Sequence, residues 1–201
     1  MLRNSLTEYC NHHKNESILV LGLGESINLL PITPPLSIGV NDIGRKVTPT
    51  YLISVNRPQQ YARTDRWPFI LNSKARAIFT QNPGDHTQCK VPVVEIKVGL
   101  EAGVEIVGSE VPHYRNSPYM AVVLAAYMGA NRIGLLGVDF TDNHFWVKDG
   151  THRLNGELEK IDKTYSALHA HLTSRNIEFV NLSPFSKLKS IPKADLSKWL
   201  S

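Results

Sequence analysis

Two kinds of residue in this chain have the type and spacing to do chemistry at one place. Gly22, Gly24 and Ser26 follow the apolar run Ile18 to Leu21. A glycine-rich turn directly after a strand can aim the N–H groups of residues 24 to 26 and the Ser26 hydroxyl at an anion, or it can serve only as a tight turn. Asn41 and Asn56 close two further apolar runs, "IGVN" and "ISVN". A side-chain amide there can donate to and accept from a base or ribose, although asparagine is also a common turn former. Asp42 stands twenty positions beyond Gly22, where a dinucleotide fingerprint places its ribose-binding acid.

That fingerprint is incomplete. Its third glycine position is Ile27, and Pro31, Pro34 and Pro35 follow within "ESINLLPITPP". At most about two helical turns fit before the chain turns back, short of the crossover of a dozen or more residues that parallel strands need. The spacing therefore predicts a nucleotide-type pocket without a full Rossmann crossover and without NAD.

The elements that must position these residues are short aliphatic strands over 18–21, 36–40 and 50–56, each ending on a polar residue at the carboxyl edge where α/β sheets bind ligands. A short helix is expected near 59–63, a strand at 77–80, and a turn at "QNPGDH". Edge strands or a hairpin are expected at 91–98 and 104–107. The segment "NSPYMAVVLAAYMGANRIGLLGVDF" predicts a helix capped by Ser117, opened by Pro118 and stopped by Gly129, then a buried strand ending at Asp139. Leu158, Ile161, Tyr165, Leu168 and Leu172 share one helical stripe. "IEFVNL" gives a last strand and "DLSKWL" a short terminal helix. The fold class that follows is α/β, a single doubly wound, mostly parallel, Rossmann-like sheet over 18–201, preceded by a polar arm over 1–17 whose His12 and His13 read as solvated.

Composition narrows the functional classes. The chain has 201 residues, with 22 Lys and Arg against 18 Asp and Glu and no basic run, which fits an anionic small ligand and gives no footprint for nucleic acid. Cys10 and Cys89 have no metal-ligand spacing, and two cysteines fit a reducing cytoplasm. No signal-type or membrane-spanning apolar segment is present. Peripheral membrane association and a homo-oligomer remain compatible with the sequence.

"LVLGLGES", "IGVND", "SVNRP" and above all the Ser-x-Tyr-Met helix with its Gly-Val-Asp-Phe strand end resemble the bacterial CMP-sialic-acid-dependent sialyltransferases. The resemblance extends to their wider relatives, the motility accessory proteins and archaeal-type hydroxymethyldihydropterin pyrophosphokinases, and spans roughly residues 18 to 182. It implies that the nucleotide is held by Gly22, Gly24, Ser26, Asn41 and Asn56, that Ser117 opens the phosphate region, and that Gly137, Val138, Asp139 and Phe140 line the same pocket. It further implies that a histidine after that strand takes the acceptor proton. His152 in "DGTHRLNGEL" matches best, with Asp149 to hold its tautomer and His144 as rival; an imidazole suits proton transfer near neutrality.

The lid segment "TDNHFWVKDG" departs from the family in lacking tyrosines. Phe145 and Trp146 are available to stack on a sugar or to anchor the loop, and Lys148, Arg153 and Arg115 to counter phosphate charge. The expected activity is transfer from a nucleotide sugar, CMP-linked by resemblance, to a glycan hydroxyl by direct displacement, with no metal or resident cofactor. The alternatives are a pyrophosphokinase using Mg-ATP held by Asp139 and Asp142, and a binding module without chemistry.

Overall fold

The computed structural model describes residues 3–31, 33–101, 103–114, 116–141, 143–148 and 154–201. In chain order the elements are β1 (Arg3–Asn4), β2 (Ser17–Leu21), β3 (Ser37–Val40), β4 (Tyr51–Ile53), α1 (Trp67–Leu71), β5 (Ala77–Thr80), β6 (Val93–Glu95), β7 (Lys97–Glu101) and β8 (Glu110–His113), then α2 (Ser117–Tyr127), β9 (Arg132–Leu136), β10 (Asn143–His144), β11 (Val147–Lys148), α3 (Leu158–Ser174), β12 (Glu178–Asn181) and α4 (Leu196–Leu200). Eight strands make one sheet in the order β1, β6, β5, β4, β3, β2, β9, β12, with every pairing parallel. Ile18 and Val20 lie opposite Ile133 and Leu135 at its centre. From β2 the chain winds outward to β6, then crosses back to β9 and β12 on the other side. The fold is thus the expected doubly wound α/β sheet, and its winding reverses between β2 and β9.

Strands buried on both faces need cover from both sides. α2 supplies much of it: residues 119 to 126 are all buried, and the helix ends at Gly129, whose φ of +90° suits a residue without a Cβ. Tyr119 meets Tyr165 of α3 edge-on, with centroids 5.3 Å apart. α3 buries the stripe Ile161, Tyr165, Leu168 and Leu172 as its periodicity predicts, while Leu158 at its start is only half-buried.

Several local expectations are corrected. Asn116, not Ser117, is the N-cap: its backbone is extended, its carbonyl accepts from the Tyr119 and Met120 N–H groups, and Ser117 is already helical. His13 is buried at 6% exposure instead of solvated, because both ring nitrogens find partners, Nε2 with the Tyr51 hydroxyl at 2.8 Å and Nδ1 with Glu16 at 3.0 Å. The polar N-terminal stretch contains a 3-10 turn, Leu6–Tyr9, capped by Ser5, that buries Leu6 and Tyr9; the Tyr9 ring packs on Phe79 at 4.9 Å. The 91–98 region divides. β6 joins the main sheet, while β7 pairs in parallel with β8 in a separate ribbon. Residues 104–107 form no strand, and Val107 is 70% exposed. As the prolines required, β2 leads to β3 through only a five-residue 3-10 turn, Glu25–Leu29. α1, with Pro68 in its first turn, is too short to show a period.

Candidate functional site

Where β2 and β9 end side by side, their backbones come too close for side chains. A Cβ on Gly22 would lie 2.2 Å from the Gly137 carbonyl oxygen, and Gly137 itself has φ +75°. Gly22 N–H donates to Leu136 and Gly24 N–H to Gly137. Of the donors expected to converge on an anion, Gly24 N–H is thus spent on a carbonyl, and the N–H and hydroxyl of Ser26 meet the chain's own Asp139. Its carboxylate accepts from the Ser26 N–H at 2.8 Å and the Ser26 hydroxyl at 2.5 Å. Ser183 Oγ lies 2.8 Å from Ser26 Oγ, and the Gly137 N–H points at both hydroxyls. Ser26 is fully buried and Asp139 is 1% exposed. A Cβ on Gly24 would meet Asp139 Oδ2 at 2.4 Å, so the acid fills the space the glycine leaves.

Beside this junction a cleft of about 630 Å³ opens along the carboxyl edge of the sheet. Of the residues expected to hold a ligand, Gly24, Asn41, Asn56, Ser117, Gly137, Asp139 and Phe140 line it, whereas Gly22 and Ser26 do not. Six side-chain amides share the wall: Asn41, Asn56, Gln60, Gln81, Asn116 and Asn143. Such a lining offers uncharged donors and acceptors in number. Asn41 and Asn56 are bridged by the buried Tyr61: Asn56 Nδ2 donates to its hydroxyl, which donates to Asn41 Oδ1, both at 3.1 Å. Burial raises the Tyr61 pKa, with the Asn56 hydrogen bond opposing it, so the hydroxyl stays protonated.

Asp42 has no ribose-facing role. It is fully buried and taken by Arg45 Nε at 2.9 Å and Arg66 Nε at 2.8 Å. The two guanidiniums lie over the Trp146 ring at 4.9 and 5.6 Å from its centroid. Trp146 sits in the turn of the β10–β11 hairpin, which folds back on the glycine turn: the Phe145 N–H donates to Leu23, and Asn143 Nδ2 to Glu25. The hairpin thereby forms one wall of the cleft, with Asn143 and His144 among the lining residues. Phe145 packs edge-on against Trp146, centroids 4.5 Å apart, which accounts for both aromatics as an anchor of the hairpin.

His113, at the end of β8, also lines the cleft, as do Arg66 and Glu157. Phe140 holds a left-handed φ of +52°, a strained conformation for a bulky residue and common at functional sites. Thr141 Oγ1, another lining residue, is buried without a hydrogen-bond partner among the described residues. His152, the sequence-derived base, lies outside the described residues, as do Arg115, Asp142, Asp149 and Arg153. No cluster of three or more metal-ligating side chains occurs among the described residues, and none of their helices is long and apolar enough to cross a membrane. Sequence reasoning missed Tyr61, Gln81, His113 and Arg66. Only Tyr61 had a local signal, standing five residues past Asn56 in "NRPQQY".

No protein-family model matches this chain, and no curated protein matches it. Among solved structures, a MAf glycosyltransferase from Magnetospirillum magneticum AMB-1 is similar in fold, with a TM-score of 0.62 over 96% of this chain at 10% identity. This chain spans 39% of that protein's length. The likeness establishes a shared Rossmann-like α/β fold.

Proposed function

We propose that this chain carries the donor site of a glycosyltransferase, taking a nucleotide-linked sugar and passing the sugar to an acceptor hydroxyl. The observation that carries the reading is the amide-lined cleft at the switch point between β2 and β9; the fold shared with a protein named a glycosyltransferase supports it. In this reading Asn41 and Asn56 take the base and ribose. Ser117, whose N–H and hydroxyl open the 11-residue helix α2, takes the phosphate at the positive end of the helix dipole. Gly137, Asp139 and Phe140 shape the floor.

The acceptor oxygen attacks the anomeric carbon as the bond to the phosphate oxygen breaks, the nucleotide leaving with the electron pair and a histidine taking the acceptor proton. The resemblance assigns that proton to His152, and His144 in the cleft wall is its competitor. A CMP-linked sugar of the sialic acid type is the first donor to test, with a glycan as acceptor. Asp139 does not favour the Mg-ATP alternative, since its carboxylate already holds Ser26.

A thermal-shift panel of nucleotide sugars and free nucleotides tests the proposal. A ligand at a hundred times its Kd should stabilise by about 2.7 kcal/mol, a rise of roughly 5 to 10 °C for a chain of this size. With an active acceptor, His152→Ala should abolish turnover and leave binding intact, and His144→Ala serves as the comparison. If no nucleotide or nucleotide sugar moves the melting curve, the reading fails.

A further inference from the structure

Tyr61 ends a 3-10 turn, Pro58–Tyr61, and is 3% exposed. Its ring stacks on Trp67, centroids 6.0 Å apart, and carries the Arg66 guanidinium 5.0 Å above it. Ring and backbone are thus fixed before any ligand arrives. The hydroxyl has one proton, given to Asn41 Oδ1, and accepts from Asn56 Nδ2. Tyr61 is not among the cleft-lining residues, whereas both asparagines are. Each amide therefore spends one end on the tyrosine and keeps the other for the cleft: Nδ2 of Asn41, a donor, and Oδ1 of Asn56, an acceptor. The Tyr61 hydroxyl lies 3.1 Å from each amide, which holds the two within reach of the edge of one planar base.

Resting on the nucleotide reading above, we propose that Tyr61 is a positioning residue for base selection: it locks both amides so that the cleft presents a donor beside an acceptor in one fixed order. A base whose edge carries the complementary order is taken, and one with the reverse order is refused, because it would face donor with donor and acceptor with acceptor. Leaving such polar groups unpaired costs more than a made bond gains. Cytosine and uracil differ in this way, an amino donor and ring acceptor being exchanged for a carbonyl acceptor and ring N–H donor. Adenine and guanine differ likewise.

The experiment is calorimetric titration of the full chain with CMP, UMP, AMP and GMP, repeated with Tyr61→Phe, which keeps the ring and its stacking. The expected result is a preference of tenfold or more within one pair, falling below about threefold in the variant. A merely structural loss would weaken both members equally and leave the ratio unchanged, and that outcome overturns the inference. So does an unmodified protein that binds both members of each pair equally. If the unmodified protein binds none of the four and no nucleotide sugar, the donor-site reading itself has failed and the selection falls with it. A second readout needs no ligand and no variant: by NMR, the Asn56 side-chain amide protons should exchange slowly and those of Asn41 rapidly. Rapid exchange at both residues would mean that Tyr61 locks neither amide and that the proposal is wrong.

Discussion

Replacing Asp139 by alanine removes the anion around which the glycine turn is folded. Its two carboxylate oxygens accept from the Ser26 N–H and the Ser26 hydroxyl, and the site is almost fully buried. Hydrogen bonds to a charged acceptor contribute about 1.5 to 3 kcal/mol each. They are coupled through one serine, so about 4 kcal/mol is the expected loss for the pair. At 2 to 4 °C per kcal/mol for a chain of this length, the melting temperature should fall by roughly 8 to 16 °C. Asp139→Asn should cost about half as much: its oxygen can still accept from the Ser26 N–H while its amide nitrogen donates to the Ser26 hydroxyl. Gly24→Ala gives an independent check. Its methyl would lie 2.4 Å from Asp139 Oδ2, a clash that eases to a 3.0 Å contact with the Cβ of residue 139 once the carboxylate is gone. The double variant should therefore be less destabilised than the sum of the singles, by at least about 1 kcal/mol in a double-mutant cycle. Denaturant titration and thermal melts followed by circular dichroism measure all of these. If Asp139→Ala melts within about 2 °C of the unmodified chain and loses nucleotide binding instead, the carboxylate is a ligand group and the reasoning is refuted.

Two further outcomes follow from close packing and from burial. Gly22→Ala should destabilise by about 3 kcal/mol or more, since its Cβ would lie 2.2 Å from a backbone oxygen that cannot swing away, while Gly84→Ala, with nothing within 4 Å, should be nearly neutral; equal melting temperatures for the two would contradict the close approach of β2 and β9. His86 is buried against Trp67 with its Nε2 unpartnered among the described residues, and burial pulls its pKa below the ordinary 6.5, the Asn82 carbonyl on Nδ1 opposing this more weakly. The unfolded chain therefore takes up this proton first. The contribution is whole above about pH 6.5 and is lost as the pH falls below that value, so stability should decline with acidification there, and a His86→Leu chain should show a shallower decline in a pH series of melts.

The strands that carry the cleft could be read from the sequence because a buried parallel strand is its own signal, an aliphatic run closed by a polar residue. β2, β3, β4, β5, β9 and β12 all have that form, and the prolines after Ile27 foretold the short crossover. What could not be read depends on partners far along the chain. Asp139 and Ser26 meet across 113 positions and His13 and Tyr51 across 38. Nothing local distinguishes a histidine that finds a buried tyrosine from one in water. The glycine turn shows both cases at once. The Ser26 N–H and hydroxyl meet an anion as the turn implied, while the Gly24 N–H goes to the Gly137 carbonyl; which anion depends on how β9 lies beside β2, a fact of topology and not of spacing.

The placement of charge then orders the proposed ligand along the cleft. With Asp139 filling the cradle, the Gly24 and Ser26 N–H groups and the Ser26 hydroxyl are already taken and do not serve a phosphate. Asp42 is matched by Arg45 and Arg66, so the rim beyond Asn41 offers no free acid to a ribose. What remains over β3 and β4 is a wall of amides, suited to the uncharged end of a nucleotide. The negative end requires donors without an internal anion, and among the described elements of the cleft the start of α2 offers the Ser117 N–H and hydroxyl at the positive end of the helix dipole. Base over Asn41 and Asn56, phosphate at Ser117 and sugar toward the hairpin and His144 is the arrangement these charges allow for a donor bound in this cleft. A dinucleotide laid across Gly22 to Ser26 would have to displace the carboxylate that holds the turn together.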